Sequence, residues 1–252
     1  MEVVNLPEEK ALPNNRMNLN RPLAKSFLLC CLGALTSASA SAALVTWSFN
    51  PNNLNQNVGN SIRTYTQSGF SITASGYDNI LNGANGLDTL RELRYKSENP
   101  VAGATEVGLG LVGTPSNELN INPDGTVAQY IQLDLRSILL AGFTGGQISV
   151  GSMQNGEGFR LFGSNTQGAL GTLLAGSWSG LAFDDKFVSV PNFGNFQFLS
   201  IAAISGRVLP IAFQATPVPE MNALFPIIGL VAAVSLTQIL RRRRAARNSV
   251  HP

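Results

Sequence analysis

Residues 130–135 read Tyr130-Ile131-Gln132-Leu133-Asp134-Leu135. Apolar Ile131, Leu133 and Leu135 alternate with Tyr130, Gln132 and Asp134, the period of two that turns one face of a β-strand into a core. Further along, Phe196, Phe198 and Ile204 share one face of a run whose other face carries Leu199 and Ile201, which predicts a central strand covered on both sides. Other strands are predicted at 44–49, 70–74, 107–112, 147–153, 159–163 and 208–214. Asn122-Pro123-Asp124-Gly125 predicts a hairpin turn, proline fixing one φ and glycine supplying a positive one. The best helical stretch, 135–141, is brief. Short β-rich runs separated by Gly, Asn, Ser and Pro clusters therefore predict one all-β domain over 43–217, a β-sandwich or barrel.

Charge divides the 252-residue chain differently. Lys10, Arg16, Arg21 and Lys25 precede the first apolar run, and Arg241, Arg242, Arg243, Arg244 and Arg247 follow the last. Residues 43–218 keep eight basic residues against eleven acids, a charge near −3, so a nucleic-acid surface is not expected and the overall net charge of +2 reflects the ends. Cys30 and Cys31 both fall in the first apolar run, and the lone histidine is His251. The predicted domain thus lacks the parts for a disulfide, a Cys/His zinc site, a Ser-His-Asp triad or a Cys-His pair. Carboxylate chemistry, calcium binding through oxygen ligands, or no chemistry remain.

The ends read as addresses. Arg21 and Lys25, the short apolar segment 27–35 and Ala38-Ser39-Ala40-Ser41-Ala42 have the order of a secretory signal, cleaved after Ala42 or, as the near alternative, Ala40. Residues 1–42 are therefore expected to be a signal peptide with a helical apolar core, starting at Met1 or Met17. At the other end, residues 223–240 carry no charge, and as a helix would measure about 27 Å against roughly 30 Å of bilayer hydrocarbon. A transmembrane helix is predicted there, with the basic tail 241–247 in the cytoplasm and the domain outside.

Val218-Pro219-Glu220, the apolar helix and Arg241-Arg242-Arg243-Arg244 together resemble the PEP-CTERM sorting signal of exported bacterial proteins, which would make 218–252 a sorting segment. The resemblance implies a signal peptidase at the N-terminal end and an exosortase-type enzyme that cuts near the Pro-Glu element. The family's Pro-Glu-Pro is here Pro219-Glu220-Met221. Within the domain, Glu106-Val107-Gly108-Leu109-Gly110-Leu111, Glu118-Leu119-Asn120 and Gln132-Leu133-Asp134-Leu135 are similar to the short motif series of the same family, with Asn120 in place of an aspartate. That likeness implies a jelly-roll-like sandwich.

Gly108-Leu109-Gly110-Leu111-Val112-Gly113 also matches the dinucleotide fingerprint, but Thr114-Pro115-Ser116-Asn117 follows where a helix would have to open. The glycines are expected instead to let strands approach closely. Neither Lys96 nor Lys186 follows a glycine, so there is no phosphate-binding loop of the Walker type. For calcium, Glu118 with Asn120 and Asp184 with Asp185 offer oxygen ligands. For glycan binding, Trp47 and Trp178, with Tyr77 and Tyr95, offer aromatic faces, although a tryptophan in a sandwich also serves as core. A glycan hydrolase would draw two carboxyls from Glu106, Glu118 and Glu157.

The expectation that fits most of these observations is a non-enzymatic protein, exported, held at the cytoplasmic membrane as a precursor and then sorted to the cell surface or matrix. No cofactor is expected apart from the calcium alternative. A carbohydrate- or calcium-binding module with an extracellular polysaccharide as partner is the alternative function, and glycan hydrolysis the third.

Overall fold

The computed structural model describes residues 43–79, 87–101, 104–218 and 224–248. The expected signal peptide, its cleavage residues Ala40 and Ala42, and Pro219 and Glu220 of the sorting signal lie outside them.

The chain is mostly β-sheet. Strands β1 (Val45–Ser48), β2 (Gln56–Asn57), β3 (Ile62–Gln67), β4 (Phe70–Asp78) and β5 (Thr89–Leu90) come first. The hairpin β6 (Leu93–Val101) and β7 (Ala104–Leu111) follows, then β8 (Leu119–Asn120), β9 (Gln129–Asp134), the short helix α1 (Arg136–Leu140) and β10 (Phe143–Gly151). β11 (Gly158–Ser164), β12 (Thr172–Leu173), β13 (Trp178–Ser179), β14 (Phe187–Ser189), β15 (Phe198–Ser205) and β16 (Arg207–Pro217) complete the domain, and α2 (Leu224–Asn248) follows. One sheet orders β1-β16-β10-β14, with β8 also on β16. A second orders β12-β11-β15-β9-β4-β3, with β13 and β5 on its flanks, and a third is β2-β6-β7.

All three sheets feed one continuous apolar core. β1 shows the simplest case, with Val45 and Trp47 buried and Thr46 and Ser48 exposed. Trp47 packs at a tilt against Phe143 and Phe213, and its indole N–H donates to the Phe70 carbonyl at 3.0 Å, which ties β1 to β4 of the other sheet. β15 sits between β11 and β9 and is buried on both faces from Phe198 to Ala203, as its apolar residues on alternate faces require. The turn at residues 122–125 forms with the Gly125 N–H donating to the Asn122 carbonyl at 2.9 Å and Gly125 at φ 82°.

β9 departs from expectation. Its even positions are buried too, Tyr130 and Gln132 as fully as Ile131 and Leu133. The segment 168–169 covers them: Gln132 donates to the Ala169 carbonyl and accepts from the Gly168 N–H, both at 2.9 Å. A polar face can be covered when the covering loop supplies its hydrogen bonds.

The C-terminal expectation also needs correction. The helix does not stop where the apolar run ends; it continues through Arg241–Arg244 to Asn248. Ser235 and Thr237 interrupt the apolar run, each bonding back to a carbonyl of the helix. Among the described residues no helix is long and apolar enough to cross a membrane.

Candidate functional site

β6 carries Arg94, Lys96 and Glu98 at alternate positions, a pattern that on most strands faces water. Here that face is turned inward at its centre. Lys96 pairs in register with Gly108, Arg94 with Gly110, and Glu98 with Glu106. The two glycines leave β7 without side chains at those positions, and other backbone fills the space. A Cβ on Gly108 would lie 2.8 Å from the Pro210 carbonyl oxygen of β16, and one on Gly110 only 1.8 Å from the Asn117 carbonyl oxygen. The fingerprint-like glycines thus serve close packing.

The chain that presses onto Gly110 is a tight turn, Pro115–Asn117, in which Ser116 and Asn117 both take positive φ. The Asn117 N–H donates to the Thr114 carbonyl at 2.9 Å and the Glu118 N–H to that of Pro115 at 3.3 Å. This turn delivers Glu118 over Lys96. From the other side β10 ends with a register irregularity at Ser149/Val150, and Ser152 just beyond it holds φ 61°, an unusual conformation for a residue with a Cβ.

The result is a closed polar cluster. Lys96 Nζ donates to Glu106 Oε2 at 2.7 Å and to Glu118 Oε1. Ser152 Oγ lies 3.0 Å from Glu106 Oε1 and 2.8 Å from Glu118 Oε2. Relative exposures are 2% for Lys96, 4% for Glu106, 3% for Glu118 and 1% for Ser152. Glu98, half exposed, reaches Lys96 at 3.6 Å from the rim.

Isolated charges at this depth would cost far more than a hydrogen bond returns, so the cluster must approach neutrality. One lysine against two carboxylates leaves one negative charge too many. Ser152 shows how it is removed: a hydroxyl has a single proton to donate, so both of its contacts are hydrogen bonds only if one carboxyl is protonated and donates to Oγ. The electrostatics separate the two acids in the same sense. Burial pushes Glu118 up, and its bonds to Lys96 and Ser152 do not bring it back. Burial works the same way on Glu106, but the hydrogen bond and charge of Lys96 outweigh it and hold this carboxyl below its usual range. Burial opposes the Lys96 ammonium, and the bonds to Glu106 and Glu118 more than compensate, so it stays charged.

The predicted site residues are scattered otherwise. Glu118 and Asn120 do not assemble as a calcium pair: Glu118 spends its oxygens on Lys96 and Ser152, while Asn120 pairs in register with Arg207 and keeps its amide oxygen buried and unbonded. Asp184 accepts the Met153 N–H at 3.0 Å, and Asp185 takes φ 58° with its own N–H on the Val150 carbonyl, so this pair shapes a turn. Among the described residues no group of three or more His, Cys, Asp or Glu stands close enough to hold a metal ion. Trp47 is core, 1% exposed. Trp178 is half-buried and stacks on Phe159 at 5.1 Å, so its ring is already occupied on one side. Glu157 accepts the backbone N–H groups of Gln154 and Arg207. Of the three hydrolase carboxyls the structure joins only Glu106 and Glu118, and a shared lysine lies between them. Val218 and Arg241–Arg244 are exposed.

Sequence reasoning named Glu106 and Glu118, with Glu157, as candidate hydrolase carboxyls but missed Lys96 and Ser152 as their partners. The available signal was Lys96 directly after Leu93-Arg94-Tyr95 on one side of the hairpin, facing a glycine on the other. Compared with known proteins, the chain matches no family model, no curated protein and no solved structure.

Proposed function

We propose that the protein is an exported, surface-sorted structural or adhesive component of the bacterial envelope or extracellular matrix, built on a jelly-roll-like sandwich. The observation that carries this reading is the self-satisfied cluster around Lys96. The densest set of ionisable groups among the described residues is spent on fastening β6, β7, the 115–118 turn and the end of β10 to one another. At 3–4% exposure its carboxyls serve the fold's interior better than they serve a polysaccharide chain, which would have to straddle them. The sorting half of the reading rests on the sequence: the leader-like start, Val218-Pro219-Glu220, and the arginine run that ends in exposed side chains. In this proposal signal peptidase removes 1–42 and an exosortase-type enzyme acts near Pro219-Glu220.

Intact mass of the protein isolated from the cells that make it tests this directly. The expected product begins at Ala43 and lacks Arg241–Arg244. A product that keeps both the leader and the arginine run, recovered from the cytosol, overturns the proposal.

One observation favours carbohydrate binding as a second reading. A surface cleft of about 370 Å³ is lined by Asn52, Gln56, Asn57 and Arg63, polar groups that suit sugar hydroxyls, with the largely buried Tyr65 and Tyr95 at its wall. Glycan-array binding that is lost in Arg63→Ala supports it, and no binding by the folded protein, with or without EDTA, removes it.

A further inference from the structure

We propose that Lys96 and Glu118 become joined, once the domain has folded, by an intramolecular amide bond between Nζ and Cδ, with Glu106 as the proton relay. The inference is independent of where the protein is sorted. It starts from geometry. Lys96 Nζ lies against Oε1 of Glu118, which places the carbon that carries this oxygen next to the nitrogen, and Glu106 Oε2 is 2.7 Å from the same nitrogen. The three side chains are almost completely enclosed, which excludes competing water and holds the reactants in place.

Ser152 calls for a division of roles. Its single hydroxyl proton requires one protonated carboxyl, and the shorter of its two contacts is to Glu118 Oε2. A carboxylic acid is an acyl acceptor, whereas a carboxylate repels a nucleophile. Glu106, left ionised, is the base. The opposite displacement of the two carboxyls, Glu118 up by burial and Glu106 down through Lys96, agrees with that division.

The step balances without a co-reactant. Glu106 takes a proton from the Lys96 ammonium, and the freed amine attacks Glu118 Cδ. The N–C bond forms, the C–O bond to Oε2 breaks, and that oxygen leaves as water with its own proton and one from nitrogen, relayed through Glu106. Nothing is oxidised or reduced. Because Lys96 is held as an ammonium, the reactive amine is scarce, but a reaction that happens once per chain between fixed groups tolerates that. The bond would close a loop of 22 residues in a domain without cysteine, the role a disulfide plays elsewhere.

Trypsin reads the outcome on the full chain. Lys96 is followed by no lysine or arginine until Arg136. If the amide forms, the denatured protein yields the fragment from Tyr95 to Arg136 with cleavage after Lys96 blocked and one water missing, and fragmentation places the link at Glu118. Separate peptides 95–96 and 97–136, or an uncut fragment of full mass, would overturn the proposal, as would a link to Glu106. Dehydration at Asp124-Gly125 would leave the cleavage after Lys96 intact and so is told apart. Glu106→Gln is expected to abolish the water loss. If that variant fails to fold, the wild-type map decides alone.

Discussion

Two of the buried polar faces among the described residues are satisfied in different ways. The Tyr130/Gln132 face of β9 lies under residues 168–169, and its own side chains are neutral. Gln132 clasps the loop backbone, and the Tyr130 hydroxyl donates to Asp88 at 2.7 Å with the Gly168 carbonyl 3.0 Å away. The Lys96/Glu106 face of β6–β7 lies under the 115–118 turn and β16 and is charged. A neutral face needs one partner for each polar atom. A charged face also needs its charge cancelled, which calls for a lysine, two acids and a shared proton arriving from four separate segments. The first face can be repaired locally; the second fails as a unit.

That contrast predicts a ranking. The largest effect is expected for Lys96→Met, which leaves two buried carboxyls without their cation and should cost about 3–5 kcal/mol, read as a lower urea midpoint with an unchanged slope. Gly110→Ala comes next: its Cβ meets the Asn117 carbonyl oxygen, and moving the turn withdraws Glu118, for about 3 kcal/mol in the same assay. If Gly110→Ala were neutral, the glycines would not be what seats the turn. On the neutral face, Gln132→Leu should cost about 2 kcal/mol, because the Gly168 N–H and Ala169 carbonyl lose their partner.

The smallest change is Tyr130→Phe, about 1 kcal/mol near neutrality. It also has a pH signature. Burial, then the hydrogen bond to Asp88 and that carboxylate's charge, push the Tyr130 hydroxyl above its ordinary 10.0. A group whose folded pKa is raised gives stability that is present below the unfolded value and lost as pH rises past it. Stability measured from pH 9 upward should therefore fall less steeply in Tyr130→Phe than in the wild type. Equal slopes would mean that this hydroxyl is not held by the fold.

Legibility in the sequence follows the same division. β1, β4, β7, β10, β11, β15 and β16 coincide with predicted strands because their apolar residues alternate or run continuously, and that pattern is a direct record of burial. β9 was legible as a strand, but its second buried face was not, since Tyr130 and Gln132 read as solvated until the loop that covers them is known. β6 was missed altogether. Arg94, Lys96 and Glu98 look like a water-facing edge, and only the glycines opposite, together with a turn 20 residues on, make them interior. Glu106 and Glu118 were visible as a possible pair of hydrolase carboxyls but not as partners of one lysine, because their connection runs through Lys96 of β6 and Ser152 beyond β10. The apolar run before Arg241 was legible as a helix; its continuation through the arginines was not.

The claim on which this account depends most is that the charged face of β6–β7 is closed interior rather than an accessible cleft. Backbone hydrogen exchange of the folded full chain measures it. Amides of 94–98 and 106–111 are predicted to exchange as slowly as those in the centre of β16. Exchange there as fast as in the exposed turn at 122–126 would contradict it.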